Sequence, residues 1–599
     1  MSHQQPSPLH DPIDLSHHLS RSAKRREASS IKQFYKYFLI PGIGQLAGGL
    51  PNGNYFPYDT LEAKVSLPNR WKPTPLKPVD PPESDLAEAS LSDEPPSSRM
   101  LVPHDSGNAD PLRKIDLATA LQYGTAQGYP PLYSFIRQFT KENLHPNVPY
   151  KGGPEVILTC GNTDGFAKTI AALNDEWSEG YDIKEDREAI LCEEYAYMNA
   201  IQTVKPRGMN IAPVAVDDEG MKAYGPGGLQ DILENWDSST GKMPHLMYTV
   251  TIGQNPTGGT LSVQRRKEIY ALCVEYDIII VEDDPYWYLQ FPSGNENRSL
   301  HTLEAGARSS GFPFLDSLIP SYLSVDYQGR VVRLDTFSKT VAPGCRLGWI
   351  TAQPALIERI LRITETSTQQ PSGFVQSMIA ELLMGPQGSN DPGRGGAKDG
   401  NGWKVDGWVR WLEGLRGNYE RRMNIMADIL NEGKYLIKTG RRNSLTAMTP
   451  SGNSQQEDDW AVVESIKIYD FVKPVGGMFI WVRFDFSSHP LQKKVQPARL
   501  ARALWVFLTT KPYIVLVAPG TMFAPTDEIR NRDAWECFRL SFAAIDMEDL
   551  RPVSKRFVGA AQAFWRIKSK EKIEELLADE DVIQSKSLPE DTAILHGFC

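Results

Sequence analysis

Five short apolar runs constrain what this chain can fold into more than any other feature. They are "EVILTCGN" from Glu155, "EAILCEEYAY" from Glu188, "HLMYTVTIGQNPTG" from His245, "DIIIVEDDPYWY" from Asp277 and "GRVVRLDTFSK" from Gly329. Each apolar core is continuous rather than alternating, and each gives way to polar residues within a few positions. Runs of this kind read as strands buried on both faces. Helical stretches separate them. "DGFAKTIAALNDEW" follows the first run, and Ser262 stands where it can cap a helix in which Ile269, Leu272, Cys273 and Tyr276 fall at i, i+3, i+4 and i+7. Strands that alternate with helices predict an α/β fold built on a mostly parallel sheet with helices on both faces. Ligands of such sheets bind at the carboxyl ends of the strands, and every one of these runs ends in a polar cluster.

The 599 residues suffice for two or three domains. Hydrophobic residues make up 41% and charged residues 23%, an ordinary globular balance. A net charge of -10 argues against nucleic acid or an anionic membrane as the main partner. The six cysteines form no CxxC pair and show no metal-ligand spacing with histidine, so reduced thiols and no metal are expected. No apolar run is long enough to span a membrane, the first residues lack the apolar core of a secretory signal, and the expected compartment is the cytoplasm. Stretches rich in Pro, Gly, Ser and acids at 71–111, 385–402 and 440–459 read as surface insertions, the first partly disordered.

The strand ends carry the chemistry. Gly161-Asn162-Thr163-Asp164-Gly165 opens a helix, and reads either as an ordinary cap or as a phosphate site on the helix N-terminus. Glu282-Asp283-Asp284-Pro285-Tyr286 reads as a turn, as a divalent-metal site, or as one buried aspartate facing a cationic ring nitrogen with Tyr286 beside it as a donor. Gln254-Asn255-Pro256-Thr257-Gly258 is a turn in which Asn255 is able to donate to a phenolic oxygen. Lys339 follows an apolar strand and lies among hydroxyls. Most lysines are solvated, but one in a low-dielectric site loses its proton more readily and attacks aldehydes. Thr336, Ser338 and Arg346 around it suit a phosphate dianion. A phosphate, an aldehyde, a ring nitrogen and a phenolic oxygen together describe pyridoxal 5'-phosphate.

Asn-Pro-Thr-Gly, then Asp-x-x-Tyr, then Thr336-Phe337-Ser338-Lys339, then an arginine seven residues on, resembles the fold-type I, class I aminotransferases. "LAGGLPNGNYFPYDTLEA" and "LQYGTAQGYPPL" resemble the branch that holds the fungal aromatic and the kynurenine/2-aminoadipate aminotransferases. The likeness runs from about Tyr37 to Phe564. It implies that Lys339 binds the cofactor aldehyde covalently and later shuttles a proton, and that Asp283 keeps the pyridine nitrogen protonated. It implies further that Asn255 and Tyr286 bind the ring's 3-oxygen and that Tyr197 stacks on the ring. The backbone near Asn162 and Thr163, with Thr336, Ser338 and Arg346, would hold the phosphate, and Tyr123 would reach the phosphate of a second subunit. Arg539 in "CFRLSFAA" matches the arginine that grips the substrate α-carboxylate, and Gly48 and Gly49 lie in the segment that closes over the substrate. Thr336 stands where serine is more usual, and Asn162-Thr163 replaces a serine-glutamine type pair.

The implied organisation is a polar, mobile tail (1–36), an N-terminal arm with part of a small domain (37–115), a large cofactor-binding domain (116–365), a small α+β C-terminal domain (366–570) and a tail (571–599). The implied activity is transamination from an aromatic L-amino acid to a 2-oxo acid such as 2-oxoglutarate, with ping-pong kinetics, in a homodimer with shared sites. Kynurenine or 2-aminoadipate as donor, or a lyase or synthase of the same fold, are the alternatives. A regulator built on this fold would need a DNA-binding domain for which residues 1–36 leave no room, and the retained lysine argues against an inert scaffold.

Overall fold

The computed structural model describes residues 9–28, 37, 40–42, 46, 49–73, 97–292, 304, 306–385, 403–440 and 462–585. The chain divides into two compact units, Met1–Arg421 with Pro474–Met478, and Arg422–Lys473 with Phe479–Cys599.

In the first unit, β1 (Thr60–Ser66) pairs antiparallel with β2 (Ser97–Pro103). The main sheet is built from β3 (Glu155–Thr159), β4 (Ala189–Glu193), β5 (Asn210–Val214), β6 (Leu246–Thr249), β7 (Ile279–Asp283), β8 (Val331–Thr336) and β9 (Gly348–Ala352). Its spatial order is β3-β9-β8-β7-β6-β4-β5. Only β9 runs against its neighbours, so the mixed, mostly parallel sheet expected from the sequence is present. Strands β4, β6, β7, β8 and β9 are buried along their whole length, which is why their sequences run apolar without alternation. Helix α1 (Asn162–Leu173) packs on β8 and β9. Helix α2 (Val263–Glu275) is capped by Ser262, whose Oγ accepts from the Arg265 N–H at 3.2 Å. It buries Ile269, Tyr270, Leu272 and Cys273 against Leu191, Met247 and Ile280.

Two strands of the main sheet went unread in the sequence, where "GRVVRLDTFSK" stood as the last. β5 contains Pro213, which an edge strand tolerates because one side of its ladder is unused. β9 starts two residues after Arg346, whose backbone is left-handed at φ 45° and turns the chain straight back along β8.

Three other expectations change. Residues 9–28 are packed rather than a mobile tail: Leu15 and Ala23 are buried, and the Ser20 N–H donates to the Ala172 carbonyl at 2.8 Å. Residues 97–103 belong to β2 rather than to an insertion, because Met100 and Val102 enter the core. The first part of the expected C-terminal tail is a helix, Lys570–Ser585, with Ile573 and Leu576 buried. The greater part of the expected insertions, at 74–96, 386–402 and 441–459, lies outside the described residues.

The units meet in sequence within helix α3 (Lys404–Gly433). The second unit holds a hairpin of β10 (Tyr435–Gly440) and β11 (Val462–Lys467) and an antiparallel sheet of β12 (Tyr469–Phe471), β13 (Phe479–Phe484), β14 (Ala518–Pro519) and β15 (Cys537–Ser541), ordered β12-β13-β15-β14. Helices α4 (Pro497–Thr509) and α5 (Met547–Phe564) bury Leu500, Leu504, Phe557 and Phe564. Among the described residues no helix is long and apolar enough to cross a membrane.

Candidate active site

The carboxyl ends of β3, β4, β6, β7 and β8 lie along one edge of the main sheet, and β9 begins there. That edge therefore collects Asn162 after β3, Tyr197 after β4, Asn255 after β6, Asp283 and Tyr286 at the end of β7, Thr336, Ser338 and Lys339 at the end of β8, and Arg346 just before β9.

Asp283 is the best-defined group. Its Oδ1 accepts from Asn162 Nδ2 at 2.6 Å and its Oδ2 from the Tyr248 hydroxyl at 2.8 Å. Asn162 Nδ2 also donates to the Leu334 carbonyl at 3.1 Å. Burial raises the Asp283 carboxyl to about 6, against the pull of the two hydrogen bonds. Strand alternation separates it from its acidic neighbours. Glu282 and Asp284 point to the other face, where Arg333 Nη1 meets Glu282 at 2.9 Å and Asp284 at 3.4 Å.

Because the folded pKa lies above that of an unfolded aspartate, the folded chain binds this proton more tightly. Its contribution to stability is full at low pH and fades as pH rises through about 6. The cofactor-free protein is therefore expected to lose about 1 kcal/mol more between pH 5 and 7 than its Asp283→Asn variant. Urea unfolding at the two pH values measures this, and parallel losses would contradict it.

A second group of side chains forms a cradle. Thr336 Oγ1 lies 2.9 Å from Ser338 Oγ and accepts from the Ser338 N–H at 3.1 Å. Arg346 Nη1 donates to Ser338 Oγ at 3.5 Å, and Nη2 donates to the Cys160 carbonyl at 3.1 Å. The start of α1 closes the cradle, and no side chain caps it, so its leading N–H groups and positive end are offered to an anion. Gly161 has φ 95°, and a Cβ there would fall 2.7 Å from Arg346 Nη2; only glycine lets the guanidinium approach the helix start. Lys339 is half-buried and ends the short turn Phe337–Lys339 that follows β8.

Asn255 and Tyr286 are buried, and the Asn255–Pro256 peptide is cis. Gln254 shapes this turn: its Oε1 accepts from the Thr257 N–H at 2.8 Å and hydroxyl at 2.7 Å. Half-buried Tyr197 accepts from Asn199 Nδ2 at 2.7 Å. Thr163 and Tyr123 are exposed. Gly49 is exposed, a Cβ there would meet nothing within 4 Å among the described residues, and Gly48 lies outside them. Arg539 belongs to the second unit. There its guanidinium lies 4.3 Å from the Phe479 ring centroid and 4.7 Å from that of Phe523.

Sequence reasoning missed Tyr248 and Glu193. Tyr248 follows from register: Tyr248 pairs with Val281, two residues before Asp283 and on its face. Glu193 ends β4 fully buried, accepts from Thr249 Oγ1 at 2.7 Å and the Val250 N–H at 3.1 Å, and is raised to about 7 by burial.

The family model for class I and II aminotransferases matches residues 111–432. The chain belongs to the class I and II aminotransferases. An aromatic amino acid aminotransferase of Schizosaccharomyces pombe is 32% identical over 552 residues, covering 92% of this chain and 98% of that protein. The L-tyrosine:2-oxoglutarate aminotransferase amt1 of Serpula lacrymans is 30% identical, covering 86% and 85%. The crystal structure of aminotransferase Aro8 from Candida albicans has a TM-score of 0.69 at 30% identity, covering 93% of this chain and all of that one. Pyridoxal phosphate is the cofactor this aminotransferase membership implies, and the residues present fit it: a cradle for a phosphate that a Cβ at position 161 would fill, and a buried carboxylate whose two oxygens are fixed by neighbours.

Proposed function

We propose that this aminotransferase moves the amino group of an aromatic L-amino acid, tyrosine or phenylalanine, to 2-oxoglutarate in a ping-pong cycle. The observation that carries the reading is the convergence of Asp283, Lys339 and the Thr336–Ser338–Arg346 cradle on one sheet edge of an aminotransferase chain. The names of the S. pombe and S. lacrymans relatives support the aromatic donor and the acceptor.

When bound, pyridoxal phosphate supplies an aldehyde and an electron-accepting ring. The chain's residues do the rest. Thr336, Ser338, Arg346 and the start of α1 would hold the phosphate, while Asn255 and Tyr286 would donate to the ring's 3-oxygen. Asn162 and Tyr248 hold the Asp283 carboxylate still, so that it would accept a hydrogen bond from a protonated ring nitrogen without reorganising. Tyr197 would pack on the ring. Lys339 would hold the cofactor through its aldehyde and, once freed by the substrate amine, would carry the proton from the substrate Cα. Arg539, held against the rings of Phe479 and Phe523, would grip the α-carboxylate. Gly48 and Gly49 belong to the covering segment. In a homodimer Tyr123, exposed in the single chain, completes the phosphate site of the second subunit. The reaction takes place in the cytoplasm.

The test is a half-reaction. Tyrosine or phenylalanine, added without acceptor, is expected to bleach the visible cofactor band, and 2-oxoglutarate to restore it. Bleaching by 2-aminoadipate or kynurenine alone would move the donor class, and retention of the band with release of other products would indicate a lyase.

A further inference from the structure

The N-terminal segment is tied to the first unit by a cluster that the transamination chemistry does not use. His17 Nε2 lies 2.7 Å from Asp277 Oδ2, and His18 Nε2 lies 3.2 Å from Asp277 Oδ1. His18 Nδ1 is 3.1 Å from His245 Nδ1, and His245 Nε2 is 3.4 Å from Glu188 Oε2. The result is a row: Asp277, His18, His245, Glu188.

Counting protons along this row shows a deficit. The two ends are carboxylates, so the three contacts between them need three protons. Two neutral imidazoles carry only two. Whichever tautomers are chosen, one ring nitrogen presents a lone pair to a carboxylate or to the other ring. His18 is only 6% exposed, and among the described residues both His18 Nε2 and His245 Nε2 are buried without a well-formed hydrogen bond. If His18 donates through Nδ1 to His245, and His245 through Nε2 to Glu188, the missing cation falls at His18 Nε2. There one ring nitrogen each of His17 and His18 and a carboxylate oxygen of Asp277 all lie within 4.8 Å of one another. Donors around a tetrahedral zinc stand about 3.3 Å apart, for bonds of about 2.0–2.1 Å.

The geometry points to a zinc-type divalent cation site formed by His17, His18 and Asp277, with His245 and Glu188 as its outer hydrogen-bond relay, that clamps residues 9–28 to the first unit. Two imidazoles and one carboxylate are a donor set that zinc accepts and magnesium does not favour. Arg330 Nη1 donates to Asp277 Oδ1 at 2.7 Å. Its charge lowers affinity for a cation, yet it fixes the carboxylate with Oδ2 turned to His17 and Oδ1 to His18. Exposed Lys24 also stands near, its Nζ 3.4 Å from the His17 carbonyl. The absence of metal-ligand spacing in the sequence did not show this site, because His17 and Asp277 are 260 positions apart.

The test uses the full-length holoenzyme without a polyhistidine tag. Equilibrium dialysis against zinc chloride, followed by metal analysis, is expected to give one zinc per chain. The affinity should fall at least about 10-fold in His17→Ala and in Asp277→Asn, with excess magnesium failing to compete. Zinc should also slow tryptic cleavage at Arg21, Lys24 and Arg25 in the wild type and not in His17→Ala. His17 is exposed, so that variant retains the fold even where Asp277→Asn, which disturbs Arg330, does not. No bound zinc, or zinc bound equally well by His17→Ala, overturns the proposal.

Discussion

Lys339→Ala is expected to lower turnover by about 10²–10⁴-fold, the range that a positioned proton-transfer group contributes. The loss should appear in the half-reaction with tyrosine and not only at steady state, because the step removed is movement of the Cα proton. Borohydride should fix the cofactor to the wild-type chain and leave the alanine variant unlabelled. The variant should still retain cofactor by equilibrium dialysis, since Thr336, Ser338, Arg346 and the start of α1 are untouched. It should also fold, since Lys339 is half-buried in a short turn after β8 and its stem is not part of the packed core. A small exogenous amine should restore a fraction of the proton transfer. If Lys339→Ala keeps wild-type turnover with the cofactor bound, the assignment of the lysine fails, and with it the reading of the sheet edge as a transamination site.

The parts of this site legible in the sequence are those fixed by one strand and its own end. A parallel strand buried on both faces must be apolar throughout, so the first polar residues after "IIIV" and "VVRL" mark the edge where ligands bind, and Asp283 and Lys339 follow. Groups whose role depends on a neighbouring strand were not legible. Tyr248 sits inside "HLMYTV" as an apparent core residue, and only the pairing of Tyr248 with Val281 shows that its hydroxyl faces Asp283. Asn162 was read through its backbone, whereas its side chain crosses to Asp283. The packing of residues 9–28 was hidden for a similar reason. Leu15 and Ala23 are isolated apolar residues in a polar stretch, and their burial depends on a surface made by distant segments. β2 was hidden because a proline- and acid-rich stretch precedes it, although Met100 and Val102 already show the alternation of a strand with one face in the core.

Behind Asp283 lies the group whose loss should cost the most stability. Arg333 is fully buried on β8, in register with Glu282 on β7. Its guanidinium meets Glu282 at 2.9 Å, Asp284 at 3.4 Å and Asp335 at 2.9 Å, and lies 5.3 Å from the centroid of the Trp287 ring. Arg266 meets the other oxygen of Glu282 at 2.9 Å. Burial alone would raise Glu282, but Arg333 and then Arg266 outweigh it and hold the carboxyl at about 2. Asp335 is raised by burial to about 6 despite Arg333. Three carboxyls thus share two guanidiniums, and the cluster tolerates no further loss of positive charge. Arg333→Met keeps much of the volume and removes the charge. It is expected to destabilise the first unit by about 3–5 kcal/mol, the cost of leaving a buried ion pair without one partner. Urea unfolding followed by a probe of the main sheet would measure it. Arg333→Met combined with Glu282→Gln should recover part of the loss, because the stranded charge is removed along with its partner. The same substitution should be felt at the active site. Arg333 helps to lower the Asp283 carboxyl from the opposite face of the sheet, so its removal should shift that group further up and weaken cofactor retention at neutral pH even in the fraction that stays folded. If Arg333→Met costs less than about 1 kcal/mol and leaves cofactor affinity unchanged, the cluster is not what keeps three acids tolerable behind Asp283, and the state of Asp283 is set by burial, Asn162 and Tyr248 without it.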